Sequence, residues 1–290
     1  MSDGSLVTIA LDIGGTKSMV ASLDERGTII SREKVPTPYE LSEGLHTLKN
    51  LVRMVAGTAR IRAIGASAGG PLDYAQGVVS PLHMPTWRAV PLKEIFEREF
   101  GCPFFVDVDT NAAALAEYVF AKRPSDRLLY ITISTGVGGG FIVDGKIYRG
   151  ARGSHPEIGH QIIPNLSDDS VDVRCPCGAT GCLEALISGT AVRKRFGKNA
   201  EELNDDEWSE IASYLADGLR NIVVMYAPSE IVLGGGMALG GGERLLNRLK
   251  QRLNKQLLII ACPDIRFSTL GYDTALLGAY TLTLDETRLE

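Results

Sequence analysis

The chain has 290 residues, 44% of them hydrophobic and 22% charged, and 30 Lys+Arg against 35 Asp+Glu leave a net charge of -5. This composition excludes a disordered or collagen-like chain and supplies apolar material for about two cores at roughly 150 residues per domain. Mild acidity argues against a basic surface for nucleic acid, and no run approaches the roughly 20 apolar residues of a membrane span.

Met1-Ser2-Asp3-Gly4-Ser5 carries an acid and lacks the basic start of a signal peptide, so a cytoplasmic location is expected. Residues 6–11 read as a strand that runs into Asp12-Ile13-Gly14-Gly15-Thr16-Lys17, and 18–23 read as the returning strand. The turn Asp24-Glu25-Arg26-Gly27 leads on to residues 28–30. Leu45, Leu48, Val52, Val55 and Ala59 recur at helical spacing, and 63–67 form the next strand. A short helix over 92–100 is closed by Gly101; strand 104–107 passes into a helix over 111–120, with Pro124 after its end.

The opening layout then returns. Strand 128–133, the turn Ser134-Thr135-Gly136-Val137-Gly138-Gly139-Gly140, strand 141–143 and the turn Asp144-Gly145-Lys146 repeat strand, glycine turn, strand, turn. Beyond a polar, loop-rich stretch come helices over 182–196 and 205–226, the second ended by Pro228. Strand 231–233, Gly234-Gly235-Gly236, a helix near 243–257, strand 265–269 and a helix near 273–284 complete the chain. Alternating strands and helices predict an α/β fold, and the repeated layout predicts two duplicated domains with a cleft between them.

The first glycine turn places two glycines, a hydroxyl and a cation where backbone N–H groups can approach phosphate oxygens. A plain hairpin turn accounts for either copy alone; the second copy shifts the balance toward a shared phosphate ligand. Asp12, at a strand end beside that turn, suits a hydrated magnesium ion. Asp109-Thr110-Asn111 stands where a strand passes into a helix, the position at which α/β proteins commonly place ligands. Asp109 can serve there as a base toward a substrate hydroxyl, and the alternative is a helix N-cap. His83 and Trp87 lie in a proline-bearing segment, and Trp87 also fits a core position.

Cys102 and Cys262 stand alone, whereas Cys175, Cys177 and Cys182 cluster downstream of His160. One imidazole and three thiols suit a tetrahedral structural zinc ion in a reducing compartment. Four protein ligands leave no open position for catalysis, so zinc would pin the loop and with it Glu157 and Glu184, which could accept hydrogen bonds from a polyol. Gly234-Gly235-Gly236, after an apolar strand, could pack against a flat base or ribose.

These residues, in this order along essentially the whole chain, resemble the ROK (repressor, open reading frame, kinase) sugar kinases of the actin/hexokinase, ribonuclease H-like fold. The resemblance runs through Asp12–Lys17, Gly65-Ala66-Ser67-Ala68-Gly69-Gly70-Pro71-Leu72-Asp73, the segment 109–117, the turn 134–140, Glu157-Ile158-Gly159-His160, the cysteine segment and the triple glycine. It implies an ATP- and magnesium-dependent kinase, phosphorylating a hexose hydroxyl, the 6-hydroxyl above all, with structural zinc and a homodimeric assembly. Asp109 would be the catalytic base; Gly70, His83, Val108, Glu157, His160 and Glu184 would line the sugar. Asp12, Gly14, Gly15, Thr16 and Lys17, with Thr135, Gly136, Val137 and Gly138, would bind the triphosphate. Gly234, Gly235 and Gly236 would lie beside adenosine, and His160, Cys175, Cys177 and Cys182 would hold zinc.

The expected domains are 1–110 plus about 275–290, and 111–274 with the zinc-bearing insertion at about 150–184. Val108 stands where glucose- and hexosamine-type members usually carry Asn, and His83 stands at a second Asn position. Each change removes a group that both donates and accepts. His155-Pro156 is similar to the fructokinase branch, so fructokinase and amino-sugar or N-acylhexosamine kinase are the alternatives. A non-catalytic, sugar-sensing regulator is the alternative from another class. The few residues before the first strand leave no room for a helix-turn-helix, and no nucleic-acid or membrane partner is expected.

Overall fold

The computed structural model describes residues 5–121, 125–164 and 173–284. Pro124, residues 165–172 of the expected insertion and residues 285–290 of the expected first domain lie outside them. The chain divides into two compact units, one holding the described residues up to 121 with 151–153 and 272–284, the other holding those of 125–150 and 154–271.

The strands of the first unit are β1 (Leu6–Ile13), β2 (Lys17–Leu23), β3 (Ile29–Pro36), β4 (Arg60–Ala68), β5 (Leu72–Asp73), β6 (Val78–Val79), β7 (Val90–Pro91) and β8 (Phe104–Val108). Five of them form a sheet in the order β3-β2-β1-β4-β8, and β5-β6-β7 form a small separate sheet. Strand β1 pairs antiparallel with β2 and parallel with β4. Its inner residues Ile9, Ala10 and Leu11 are fully buried, as a strand covered on both faces requires.

Helix α1 (Leu41–Ala56) lays Leu48, Leu51, Val52 and Val55 on this sheet, and Gly57 ends it, leaving Ala59 beyond the helix. Helix α2 (Leu92–Phe100) stops at Gly101, whose φ of 64° is the left-handed conformation glycine adopts without strain. Helix α3 (Asp109–Phe120) packs on a helix from the far end of the chain, Thr274–Thr281. A Cβ on Gly278 would lie 2.5 Å from the backbone of Ala112, so only glycine permits that approach. This contact keeps α3 with the first unit, and the boundary between units therefore falls beyond it and not at 110.

The second unit repeats the plan. Strands β9 (Arg127–Ile133), β10 (Val137–Val143), β11 (Lys146–Ile147), β12 (Glu230–Gly234) and β13 (Asp264–Phe267) are ordered β11-β10-β9-β12-β13. Again the first strand is antiparallel to the second and parallel to the next in the sheet, the same topology as β1 with β2 and β4. The stretch expected as one helix over 182–196 is two, α4 (Leu183–Ile187) and α5 (Gly189–Phe196). Ser188 between them is extended, and its hydroxyl accepts the N–H of Ala191 as the cap of α5. Helix α6 (Asp205–Tyr226) starts at a capping box in which Asn204 and Glu207 satisfy each other's backbone N–H groups. Helix α7 (Gly236–Gln256) begins earlier than its apolar period suggests and kinks at Gly242. Trp208, Leu215, Leu219, Ile231, Leu233 and Leu249 are among the buried residues of this unit's core. The final helix of the first unit is α8 (Thr274–Thr281). No helix among the described residues is long and apolar enough to cross a membrane.

Candidate active site

The first glycine turn joins β1 to β2. Ile13 and Ser18 flank it and are buried, while Gly15, Thr16 and Lys17 are exposed. Its support comes from a residue outside the motif: the Thr37 hydroxyl donates to the Gly14 carbonyl at 2.6 Å, and the Thr37 N–H donates to the Thr16 carbonyl at 3.0 Å. His83 packs on the same turn, since a Cβ on Gly15 would lie 3.2 Å from its Cβ.

Asp12 stands opposite Ser67 of β4 and Met19 of β2. Burial pushes its carboxyl up to about 7, the Asp109 charge adds to that rise, and Lys34 opposes it. Two carboxylates that resist joint ionisation are the donor chemistry that a hard divalent cation relieves.

Asp109 is the first residue of α3 and is exposed; its Oδ1 accepts the N–H of Thr110 at 2.8 Å. The capping position belongs to Val108, which has no side chain able to cap, so the N-cap account of Asp109 does not describe this helix. Val108 itself is 3% exposed. The corner is fixed by Asp107, also buried, whose Oδ1 accepts the N–H of Val108 at 2.7 Å and Nδ2 of Asn111 at 2.9 Å. Gly70 accepts the N–H of Leu82 on the segment that carries His83. His83 is exposed, whereas Trp87 is fully buried and is core.

In the second unit the turn between β9 and β10 is held by helices. Glu184 at the start of α4 accepts the N–H of Val137 through Oε2 at 2.9 Å. At the start of α5, the Gly189 N–H donates to the Ser134 carbonyl at 2.7 Å and the Thr190 hydroxyl to the Thr135 carbonyl at 2.8 Å. Glu184, expected among sugar ligands, therefore has one oxygen engaged by the turn at 135–138.

His160, Cys175, Cys177 and Cys182 place one ligand atom each within 4.8 Å of one another. The Cys175 Sγ lies 3.5 Å from His160 Nδ1, and the Cys177 and Cys182 sulfurs are 3.6 Å apart. That spacing is close to the edge of about 3.8 Å that four ligands at roughly 2.3 Å define around zinc. Burial pushes the Cys182 thiol up to about 12, so only a bound cation would make it a thiolate near neutrality. Nδ1 of His160 faces the sulfurs, and Nε2 lies 4.0 Å from Glu157 Oε2. Glu157 is exposed and also faces His155, 3.4 Å from its Nε2. The tip of Glu184 is 3.9 Å from the Cys175 sulfur, so the cysteine cluster adjoins both acids.

The three glycines at 234–236 differ from one another. A Cβ on Gly234 would lie 2.1 Å from the Tyr130 hydroxyl, and one on Gly235, at φ 86°, would lie 2.4 Å from the Ile133 carbonyl. Packing within the unit thus requires the first two, and only Gly236 has open space beside it. Thr37, Asp107, Gly189 and Thr190 belong to no motif, and nothing in the sequence marks them.

The chain matches the ROK family over residues 8–286. It is similar to a fructokinase of Zymomonas mobilis, 35% identical over 77% of this chain and 77% of that protein. The structure is similar to a ROK hexokinase from Thermus thermophilus, with a TM-score of 0.81 and 31% identity over 95% of this chain and 97% of the other. A ROK family glucokinase from Streptomyces griseus, solved in complex with glucose and AMPPNP, gives 0.77 and 29% over 94% and 97%. The protein belongs to the ROK family and has its actin/hexokinase-like α/β fold.

Proposed function

We infer that the protein is an ATP-dependent carbohydrate kinase, moving the γ-phosphoryl group of ATP to a hexose hydroxyl, with the 6-hydroxyl as acceptor. The observation that carries this reading is Asp109, an exposed carboxylate at the head of α3 in the same unit as an anchored glycine turn. In the reaction the acceptor oxygen attacks the γ-phosphorus, its proton passes to Asp109, and the bond from that phosphorus to the β-phosphate oxygen breaks to release ADP. The turns at 14–17 and 135–138 supply backbone N–H groups to the phosphates, and Lys17 adds a cation. Magnesium, when bound, neutralises phosphate charge, and Asp12 is the residue suited to hold its water shell.

On the acceptor side, Glu157, His160 and Glu184 would receive or donate hydrogen bonds to sugar hydroxyls, with Gly70 and His83 on the first unit. His160, Cys175, Cys177 and Cys182 would hold structural zinc, which supplies rigidity to the two acids and no open coordination position. The open face beside Gly236 suits the adenosine.

A fructokinase reading has its own support in the 35% identity to the Zymomonas mobilis fructokinase and in Val108, which offers no amide to a sugar. A purely regulatory role is disfavoured by the presence of the base and both turns. The deciding experiment is a coupled ADP-release screen over glucose, mannose, fructose, glucosamine and N-acetylated hexosamines. Turnover with at least one hexose is expected, and its absence across the panel with ATP and magnesium would refute the kinase reading.

A further inference from the structure

We propose that Thr37 is a positioning residue for the phosphate turn at 14–17, acting through the backbone of that turn rather than by touching the donor. The inference rests on the reading that this turn binds the donor's phosphates.

Strand β3 ends at Pro36, and Thr37 carries the chain one residue past the paired strand, to the level of the turn. Three hydrogen bonds meet there. The N–H of Thr37 donates to the carbonyl of Thr16 at 3.0 Å, and its hydroxyl donates to the carbonyl of Gly14 at 2.6 Å. The third joins the Thr37 and Ser18 hydroxyls at 2.8 Å. A hydroxyl has one hydrogen, and that of Thr37 is committed to Gly14, so Ser18 is the donor in this last bond. Ser18 is 1% exposed, which makes its hydrogen bond to Thr37 expensive to lose.

The consequence follows from peptide geometry. A trans peptide directs its N–H opposite to its C=O. Tying the carbonyls of Gly14 and Thr16 back toward β3 therefore turns the N–H groups of Gly15 and Lys17 away from β3 and into the turn. Those are the donors an anionic oxygen needs, and aiming them in advance removes the cost of ordering them when the donor binds. The hydroxyl is the part of Thr37 that a methyl cannot replace.

Thr37→Val keeps the shape and the N–H while removing the hydroxyl; Thr37→Ser keeps the hydroxyl. With the best sugar from the screen, Thr37→Val should raise KM for ATP about 5- to 10-fold, the scale of one or two lost hydrogen bonds, with KM for the sugar within about twofold of wild type. Thr37→Ser should restore ATP KM to near wild type. Ser18→Ala should give a smaller rise of about 2- to 3-fold, and it serves as the test if Thr37→Val does not fold.

Gly14→Ala is the control for the turn itself, since its Cβ would lie 2.7 Å from the Lys17 carbonyl. If Gly14→Ala raises ATP KM but neither Thr37→Val nor Ser18→Ala does, the positioning role is wrong and the phosphate reading stands. If none of the three moves ATP KM, both are wrong. An equal rise in sugar and ATP KM in Thr37→Val would show general loosening and would also overturn the proposal.

Discussion

The two glycine turns occupy the same place in two sheets of the same topology, yet they are held in different ways. In the first unit the turn at 14–17 leans on the adjacent strand, through Thr37. In the second the turn at 135–138 leans on the starts of α4 and α5, through Glu184, Gly189 and Thr190. Repetition of a topology therefore conserves where a turn sits but not what fixes it. A practical difference follows: α4 begins directly after Cys182, so the second turn is tied to the Cys/His cluster while the first shares its unit with Asp109. In the proposed mechanism the base lies in the first unit and the metal support in the second.

The sharpest way to break this division is at Asp109. Asp109→Asn should lower kcat by about 100-fold or more, the usual scale for a lost base, while ATP binding and the fold persist. Steady-state kinetics beside a nucleotide-binding titration test it; near-wild-type turnover would move the base elsewhere.

Next in size is the metal. Purified protein should contain one zinc ion per chain by elemental analysis, and Cys177→Ser should raise the sugar KM by about 10-fold or more, as lost support for metal-linked acids commonly does. The comparison becomes sharper under hydrogen exchange: Cys177→Ser should speed exchange at 135–138 and leave 14–17 unchanged. Equal acceleration in both turns would erase the proposed difference between them.

A smaller effect is expected at Thr190, whose hydroxyl is one of several supports of the second turn. Thr190→Val should raise ATP KM by about 2- to 3-fold, less than Thr37→Val, because Glu184 and the Gly189 N–H still hold the loop. A larger effect than that of Thr37→Val would reverse the ranking of the two anchors.

A different kind of effect, on stability rather than turnover, concerns pH. The Asp12 carboxyl rises from 3.8 to about 7 on folding. Between those values the folded, metal-free protein holds a proton that the unfolded chain releases, so this contribution to stability is full below about 4 and declines as pH rises toward 7. Asp12→Asn should flatten that part of a chemical-denaturation profile recorded against pH in the presence of a chelator. An unchanged slope would mean that Asp12 ionises freely.

Much of the architecture was legible because it depends on local pattern. The period of Leu48, Val52 and Val55 placed α1, Gly101 closed α2, and the repeated strand-turn-strand layout announced two related sheets. The stretch expected as one helix over 182–196 is broken at Ser188-Gly189, a pair that marks a turn in the sequence, where the Ser188 hydroxyl caps α5. Val108, where relatives usually carry Asn, is a buried residue at the head of α3, a burial that its residue type alone does not encode.

The sequence by itself determined the α/β class, the pair of glycine turns, the place of Asp109 at a strand-to-helix junction and the four residues of the Cys/His cluster, because each is a short-range pattern of residue types. Tertiary structure alone decided which atoms hold those motifs in place. Thr37 reaches the first turn only because β3 pairs with β2 in one register, and Glu184 reaches the second only because α4 starts against β10. Asp107 supports the head of α3 because it is buried against the N–H of Val108 and the amide of Asn111. Register, burial and the direction of a hydrogen bond depend on residues far apart in the chain, and no local pattern encodes them.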